Sequence, residues 1–303
     1  MSGIPFDQTA DRDYEVLKPV GPKLRRIQAE NPGPFTFMGT GTYVIGEGEV
    51  AVVDPGPRDE AHVAAILNAL KGERITHILV THTHLDHSPA AALLKEATGV
   101  ATYAYGPHGS GAGPDTPVEE GGDMDFRPDV EIRHGDTVDV GGVRVSAVHT
   151  PGHTSNHICF SLDREGVLLS GDHVMAWSTS VISPPDGDMA AYKRSLRLLL
   201  EREDRVYYPA HGAPVTDPHG FVQAFLDHRE AREQAIAKVL ADGVETIPEM
   251  VRRIYIGLDP RLHAAAARSV LAHLVEMVDE GRASADGPAT LRARYAPPGG
   301  SIG

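Results

Sequence analysis

A run of metal-binding side chains, THTHLDHSPA at residues 81–90, contains the densest chemistry in the sequence. His82, His84, Asp86 and His87 offer nitrogen and oxygen donors of the kind that zinc and related divalent ions prefer. Residues two apart in an extended segment point the same way, so His82 and His84 can reach one ion. A turn into a helix would aim Asp86 and His87 at a neighbouring point. The run can therefore supply ligands to two metal ions.

Further donors must complete such a site, because a zinc ion takes three or four protein ligands. His153 follows the apolar run VRVSAVH, Asp172 follows VLLSG, and His211 follows RVYYP. Each run has the length and β-branched or aromatic character of a strand. Functional side chains commonly lie where strands end in layered α/β folds. We therefore expect these three residues to join the cluster.

The elements that must position these residues alternate between strands and helices. TYVIG and VAVVD predict strands, DEAHVAAILNALKG predicts a helix, and ITHILVT predicts the strand that leads into the cluster. A second helix is expected to begin at Ser88 as its cap, with Pro89 in the first turn and Gly99 just past the end. The cluster then lies between a strand and a helix N-terminus.

A second β-rich half follows a long connection. Residues 106–128 are rich in Gly, Pro and acidic residues, which predicts an exposed loop that serves as a lid or a mobile insertion. After it come several strand-like runs, a helix at MAAYKRSLRLLLE and the strand RVYYP. This order indicates two similar halves that pack sheet on sheet with helices outside.

Helical patterns replace the strands beyond Asp217. We predict a catalytic domain over 1–226, a small helical domain over 227–290 and a flexible tail over 291–303. From residue 228 onward, ten Lys and Arg balance ten Asp and Glu, so the net charge of −14 belongs to the rest of the chain. The acidic charge disfavours nucleic acid and anionic membrane as partners at long range.

The remaining composition predicts a cytoplasmic protein that is not embedded in a membrane. The N-terminus lacks the pattern of a secretory signal, and no apolar run approaches the roughly 20 residues of a spanning helix. The single cysteine, Cys159, cannot form an internal disulfide and reads as a buried strand thiol. The sequence leaves a homo-oligomer open.

Five motifs together resemble the metallo-β-lactamase superfamily, in the two-metal hydrolase branch that includes glyoxalase II. They are VVDPG, THTHLDH, HTPGHT, SGDH and PAHG, in the family's order between about residues 40 and 214. The resemblance implies an α/β fold in which two sheets pack as an αββα sandwich. It also implies two divalent ions, with zinc expected, and a hydroxide held between them that attacks a carbonyl or a phosphorus atom.

The resemblance assigns seven metal ligands and one supporting carboxylate. One ion would be bound by His82, His84 and His153, the second by Asp86, His87 and His211, and Asp172 would bridge them. Asp86 and Asp172 are the residues expected to act in catalysis, with Asp86 orienting the hydroxide. Asp54 is expected to steady the ligand loop, as carboxylates do for the second ring nitrogen of a metal-bound histidine.

The C-terminal part resembles the β-lactamase-like protein 2 group, in which a winged-helix module follows the catalytic domain and the best-known activity is cleavage of single-stranded RNA. A nucleic-acid-binding helix should expose several basic residues. The candidate helix has Arg261 and Arg268 against Glu276, Asp279 and Glu280. We therefore favour hydrolysis of a small ester, thioester or lactone. A phosphodiesterase acting on single-stranded RNA and promiscuous β-lactam cleavage are the alternatives, and a non-catalytic metal protein is the least favoured.

Overall fold

Two β-sheets form the centre of the molecule in the computed structural model, which describes residues 3–109 and 121–300. The predicted loop over 106–128 therefore lies partly outside the described residues. The first sheet has seven strands in sequence order. They are β1 (Lys18–Gly21), β2 (Leu24–Gln28), β3 (Gly41–Glu47), β4 (Glu49–Val53), β5 (Arg74–Leu79), β6 (Thr102–Ala104) and β7 (Val130–Glu131). Pairing is antiparallel from β1 to β4 and parallel from β4 to β7.

The second sheet has five strands, in the order β12-β11-β10-β9-β8. They are β8 (Thr137–Val140), β9 (Val143–His149), β10 (Ile158–Leu162), β11 (Val167–Gly171) and β12 (Val206–Pro209). Only β11 and β12 pair in parallel within this sheet. Six α-helices occur in the described residues: α1 (Glu60–Ala69), α2 (Ala90–Thr98), α3 (Met189–Leu200), α4 (Pro218–Ala241), α5 (Ile247–Ile254) and α6 (His263–Asp279).

Strand alternation divides the core into layers. On β3, Tyr43 and Ile45 face the second sheet and pack with Phe160, whereas Val44 faces outward and packs against the layer that contains Ile66 of α1. Successive side chains of a strand point to opposite faces, so one buried strand serves two apolar layers. The outer face of the second sheet packs in the same way against α3 and α4. The predicted αββα sandwich is confirmed.

Helix α4 contributes to two apolar clusters. Its first half, including Phe225, packs on the outer layer of the second sheet, and its second half, including Leu240, packs with α5 and α6. The predicted division at 226/227 falls within this continuous helix. Within the expected tail, β14 (Tyr295–Ala296) pairs with β13 (Ser284–Ala285), and Tyr295 is fully buried. The Gly- and Pro-rich end of the sequence did not reveal this anchoring aromatic ring.

The start of α2 differs from the prediction. The helix begins after Pro89, and no side chain caps it. The Ser88 hydroxyl instead donates to the Asp123 carboxylate at 2.8 Å, which ties the histidine run to the chain that returns after the long loop. Gly99 ends the helix with φ of 72°, as expected for a left-handed glycine at a helix C-terminus. In the described part of the chain, none of the helices is both long and apolar enough to cross a bilayer.

Candidate metal centre

The first group of candidate ligands consists of three histidine nitrogens that converge on one point. His84 Nδ1 lies 3.0 Å from His82 Nε2 and 3.1 Å from His153 Nε2. His82 and His84 follow β5 of the first sheet, and His153 lies in the loop after β9 of the second sheet. The group therefore combines residues from the edges of both sheets. Three imidazoles with this convergence match the nitrogen donor set of a divalent zinc-type ion.

The second group combines one carboxylate with two histidines. Asp86 Oδ2 lies 3.1 Å from His87 Nε2 and 3.2 Å from His211 Nε2. Asp86 and His87 stand in the turn before α2, and His211 follows β12. The structure thus brings residues separated by more than one hundred positions in the sequence into a second compact donor set.

Asp172 lies between the two groups, at the end of β11. Its Oδ1 is 3.3 Å from His211 Nε2 and 3.7 Å from His87 Nε2, and its Oδ2 is 3.8 Å from His153 Nε2. One carboxylate oxygen therefore faces each group. Asp172 Oδ1 and His87 Nε2 are buried without a hydrogen-bond partner among the described residues. Such orphaned polar atoms are rare in native structures, and a coordinated cation would satisfy both.

Asp54 organises the run that contains the first ligands. Its carboxylate accepts hydrogen bonds from the Thr81 amide and the Thr81 hydroxyl, each at 2.7 Å, and lies 3.0 Å from His87 Nδ1. β4 and β5 are parallel neighbours, so Asp54 at the end of β4 meets Thr81 just past β5. Asp54 has a φ of 49°, a left-handed conformation that Asp and Asn adopt more readily than most residues.

The other histidines are oriented through their second ring nitrogen. His153 Nδ1 lies 2.6 Å from the Val181 carbonyl, His211 Nδ1 lies 3.2 Å from the Gly39 carbonyl, and His82 Nδ1 lies 3.0 Å from the Thr81 hydroxyl. These contacts turn the remaining nitrogen of each ring toward the centre. Oriented second nitrogens of this kind are a regular property of metal-binding histidines.

The electrostatics of the centre favour ionised carboxylates and two neutral histidines. Burial, reinforced by neighbouring imidazoles, holds the pKa values of His82 and His84 well below the usual range. Burial alone would raise the pKa values of Asp86 and Asp172, but the adjacent His87 and His211 lower both well below the ordinary value. Ligands must be deprotonated to bind a metal, so these shifts prepare both histidines and both carboxylates for that role.

His87 and His211 carry the opposite shift. Burial opposes protonation of His211, but Asp172 and Asp86 raise its pKa to about 10. The same two carboxylates raise the pKa of His87 well above its usual range despite burial. A buried pair of carboxylates thus attracts positive charge to this point of the structure, either as protons on imidazoles or as a cation bound by them. All seven predicted ligands belong to this one centre, and their chemistry fits divalent metal ions.

One further histidine supports the centre without belonging to the predicted ligand set. The Asp172 amide donates to His157 Nε2 at 3.2 Å, and His157 Nδ1 lies 2.9 Å from the Thr150 hydroxyl. His157 is fully buried, and burial keeps its pKa well below the usual range, so the ring is neutral and accepts from the backbone. This contact fixes the backbone of the residue that stands between the two groups.

A second cluster with metal-type donors lies between α4 and α6. It consists of Glu233, His273 and Glu276. Lys193 of α3 reaches into it and places its ammonium 2.9 Å from Glu233 and 2.8 Å from Glu276. The lysine supplies the positive charge there, so this cluster is read as a buried ion-pair network that joins the helices.

A cavity of about 270 Å³ opens directly beside the ligands. Asp86, Asp172 and His211 form part of its wall, and the opposite wall includes residues of α4, the α5–α6 connection and α6. The helical C-terminal part thus lines the same cavity as the candidate ligands. A C-terminal module that shapes the entrance to the site was one interpretation of the sequence, but neither Arg229 nor Tyr255 was singled out from the sequence. Arg229 stands in the charged run REAREQ, which gives no sign of which side chain turns inward.

Comparison with known families agrees with this geometry. Residues 36–211 match the model described as Metallo-beta-lactamase superfamily, and residues 246–289 match Beta-lactamase associated winged helix domain. The chain belongs to the metallo-β-lactamase superfamily and carries a winged-helix domain at its C-terminus. Members of this superfamily typically bind metals, and the chain is a hydrolase of this class.

Several curated relatives share most of the chain. An atrochrysone carboxyl ACP thioesterase from Passalora fulva is 33% identical over 77% of this chain and 68% of the relative. A second protein of that name, from Aspergillus terreus, is 29% identical over 82% of this chain and 77% of the relative. A beta-lactamase-like protein 2 homolog from Drosophila melanogaster is 29% identical over 85% of this chain and 88% of the relative. Thioesterases are therefore among the homologues.

Solved structures show the same arrangement. A metallo-beta-lactamase family protein from Thermus thermophilus superposes with a TM-score of 0.75 at 25% identity, covering 91% of this chain and 99% of that one. A beta-lactamase domain protein from Burkholderia ambifaria gives a TM-score of 0.78 at 22% identity, covering 95% of each chain. The second likeness establishes the fold alone. Both matches cover more than nine-tenths of this chain.

Proposed function

We propose that the chain is a two-metal hydrolase that cleaves a small thioester, ester or lactone, with zinc as the expected metal. The observation that carries this proposal is the position of Asp172, whose two carboxylate oxygens face two separate groups of ligands. A shared carboxylate is the arrangement expected where two ions are held close together. The thioesterase relatives favour a thioester among the three substrate classes.

Each residue of the centre has a distinct part in this proposal. One ion would be held by His82, His84 and His153, and the second ion by Asp86, His87 and His211. Asp172 would bind both ions. When bound, two divalent ions would lower the pKa of a water molecule and polarise the substrate carbonyl. The ionised carboxylates of Asp86 and Asp172 face the cavity and can accept hydrogen bonds from the attacking water, which orients it toward the carbonyl carbon.

The walls of the cavity support a small acyl substrate. Met175, Trp177 and Val181 line one side, and Leu258 and Leu262 line the side that the C-terminal helices provide. An apolar pocket with a few convergent polar groups is the usual form of a small-molecule site. Burying an acyl chain there also excludes bulk water from the carbonyl, which strengthens electrostatic interactions with it.

Cleavage of single-stranded RNA is the second candidate, because Arg252 and Arg253 are exposed on α5 of the winged-helix domain. One of them, Arg253, already pairs with Glu249 at 3.0 Å, which reduces the charge available to a phosphate backbone. The chain's net charge of −14 further disfavours a polyanion. The same two-metal chemistry would also admit a β-lactam as a promiscuous substrate.

A substrate panel tests the proposal. Zinc-loaded protein and its Asp86→Ala variant are compared on a short-chain acyl thioester, a lactone, a β-lactam, an activated phosphodiester and single-stranded RNA. We expect the wild type to hydrolyse the thioester faster than the other substrates. The rate of the variant should be lower by at least about 100-fold, since a group that orients the attacking water contributes on the order of 10²–10⁴ in rate. Turnover of RNA alone would overturn the proposed substrate class.

A further inference from the structure

We propose that Arg229 forms an anion subsite in the cavity and selects substrates whose acyl portion ends in a carboxylate. This inference rests on the proposed function, because it concerns the same pocket. Arg229 stands on α4, is only 3% exposed, and lines the cavity together with Asp86 and Asp172. The structure therefore places a permanently charged cation in a largely apolar wall.

The charge of Arg229 has no protein counter-ion in the described part of the chain. No Asp or Glu oxygen among those residues forms an ion pair with it, although neighbouring basic residues of the helices do have such partners. Its Nη2 donates to the Ser180 carbonyl at 2.6 Å, and its guanidinium carbon lies 5.1 Å from the centre of the Tyr192 ring. Its Nε is buried and has no hydrogen-bond partner. A buried cation whose partners are a backbone carbonyl and a neutral tyrosine is incompletely compensated.

The other ionisable groups on the cavity wall form no ion pair with Arg229 among the described residues. Asp186 is buried, and its carboxylate accepts hydrogen bonds from the Ser155 amide at 3.1 Å and the Ser155 hydroxyl at 2.6 Å. His228, the neighbour of Arg229, is neutral near pH 7 because burial, with help from Arg229 and Arg232, lowers its pKa to about 4. The ionised carboxylates Asp86 and Asp172 belong to the metal centre. An anion supplied by the ligand would complete the charge balance at Arg229.

The position of Arg229 fits the far end of a substrate whose carbonyl sits at the metal centre. The Ser180 carbonyl accepts from Arg229, and the Ser180 hydroxyl donates to the Asp172 carbonyl at 2.6 Å. Ser180 thus contacts both Arg229 and the backbone of Asp172, and all three residues line the same cavity. Apolar side chains, including Met175 and Val181, line the same cavity. A short acyl chain with a terminal carboxylate matches these features: its carbonyl would meet the metal centre, its methylene groups the apolar side chains, and its carboxylate Arg229.

A carboxylate suits the guanidinium better than a neutral polar group would. Arginine presents a rigid planar fork whose N–H groups match the two oxygens of a carboxylate, and the charge-assisted bonds are stronger than neutral ones. Because Arg229 is only 3% exposed, the attraction is screened less than it would be on the surface. Arg229 therefore favours an acyl group with a terminal carboxylate over one that ends in a methyl group.

The test measures binding with two non-hydrolysable ligands that differ only in this charge. Both are amides in which the thioester sulfur is replaced by NH; one acyl chain ends in a carboxylate and the other in a methyl group of matched length. Affinities are measured by calorimetry on the zinc-loaded full chain. We expect the acidic ligand to bind roughly 10- to 100-fold more tightly, the range for a charge-assisted hydrogen-bonded pair converted to affinity.

Three variants separate recognition of charge from support of the loop. Arg229→Gln should reduce the affinity ratio to about one, and Arg229→Lys should retain part of it because the charge remains while the planar fork is lost. Arg197→Gln removes an equal charge from an exposed site on α3 and should leave the ratio unchanged. Loss of the Ser180 contact alone would weaken both ligands equally, so the ratio isolates the anion subsite.

The inference is overturned if wild-type protein binds both amides equally, or if the ratio survives in Arg229→Gln, which would assign the carboxylate to the metal ions. Should Arg229→Gln not fold, Arg229→Met, which also lacks the charge, takes its place, and an unchanged ratio in that variant would contradict the inference in the same way. Because the amides are bound without being cleaved, failure of the protein to hydrolyse thioesters counts against the proposed function alone.

Discussion

Asp172 Oδ1 lies 3.3 Å from His211 Nε2, while the other oxygen of the same carboxylate lies 3.8 Å from His153 Nε2. This relationship joins the ends of β11 and β12 to the loop after β9 and defines the middle of the metal centre. Neither sheet alone contains the complete donor set. The centre therefore depends on the sandwich being assembled, with each sheet contributing residues at the same edge.

Replacing Asp172 tests this shared position. Asp172→Ala should bind substantially less metal and lose activity while retaining its fold, because both ligand groups lose an oxygen donor and no apolar contact of the core is removed. Metal content by elemental analysis and far-UV circular dichroism report the two properties separately. Asp227→Ala, at an exposed carboxylate on α4, is the matched control and should keep full metal content. Normal metal content and turnover in Asp172→Ala would exclude the bridging role.

Asp54 should influence metal affinity without being a ligand. Asp54→Asn preserves a side chain that tolerates the left-handed backbone, but it cannot accept all three hydrogen bonds that the carboxylate receives. We expect affinity for the ion that His87 would bind to fall roughly 10- to 100-fold, as happens when other hydrogen-bond partners of metal-bound histidines are replaced. Competition with a chromophoric chelator measures this directly. Affinities equal to those of the wild type would show that the contact with His87 is dispensable.

The Lys193–Glu276 ion pair should be important for the junction between α3 and α6. The two side chains are 9% and 4% exposed, and their charged atoms lie 2.8 Å apart. Lys193→Met leaves a buried carboxylate without its partner, so we expect the free energy of unfolding to fall by about 3–5 kcal/mol. Urea denaturation measures the loss. Adding Glu276→Gln should restore part of it, whereas an unchanged midpoint in the single variant would contradict the assignment.

Cys159 should be unreactive in the folded protein. Burial raises the pKa of its thiol to about 12, so the reactive thiolate becomes populated only as pH rises toward that value. At pH 8 we expect a thiol reagent such as iodoacetamide to modify native protein far more slowly than urea-unfolded protein. Mass spectrometry gives a direct count because the chain has one cysteine. Equal rates in both states would mean that β10 is exposed in solution.

The candidate donor set could be proposed from the sequence because its residues stand in short motifs directly after apolar strands, and the structure brings their side chains together. His153, Asp172 and His211 were joined to the run at 81–90 by their positions after strand-like runs and by the resemblance to the superfamily, and the αββα layers followed from the alternation of strands and helices together with that resemblance. Ser88 was assigned as a helix cap, since nothing local shows that Asp123 approaches from beyond the long loop. Such a contact depends on tertiary structure and leaves no trace in nearby residues.

The pocket wall could not be predicted for a related reason. Arg229 stands among other charged residues of α4, and only the packing of that helix against Tyr192 and Ser180 shows that its side chain turns inward. Tyr295 was hidden in a segment whose Gly and Pro content is typical of a frayed end, yet its ring is buried and its hydroxyl donates to the Thr290 carbonyl at 2.7 Å. Helix orientation and terminal anchoring are both decided by long-range packing.

Metal titration of activity tests the two-metal account most directly. Chain stripped with a chelator and then titrated with zinc should hydrolyse an acyl thioester at a rate that rises to a plateau at about two equivalents per chain, as expected for a shared two-metal site. Full thioesterase activity in the stripped protein, or no activity on any thioester, lactone or ester at saturating zinc, would contradict the account.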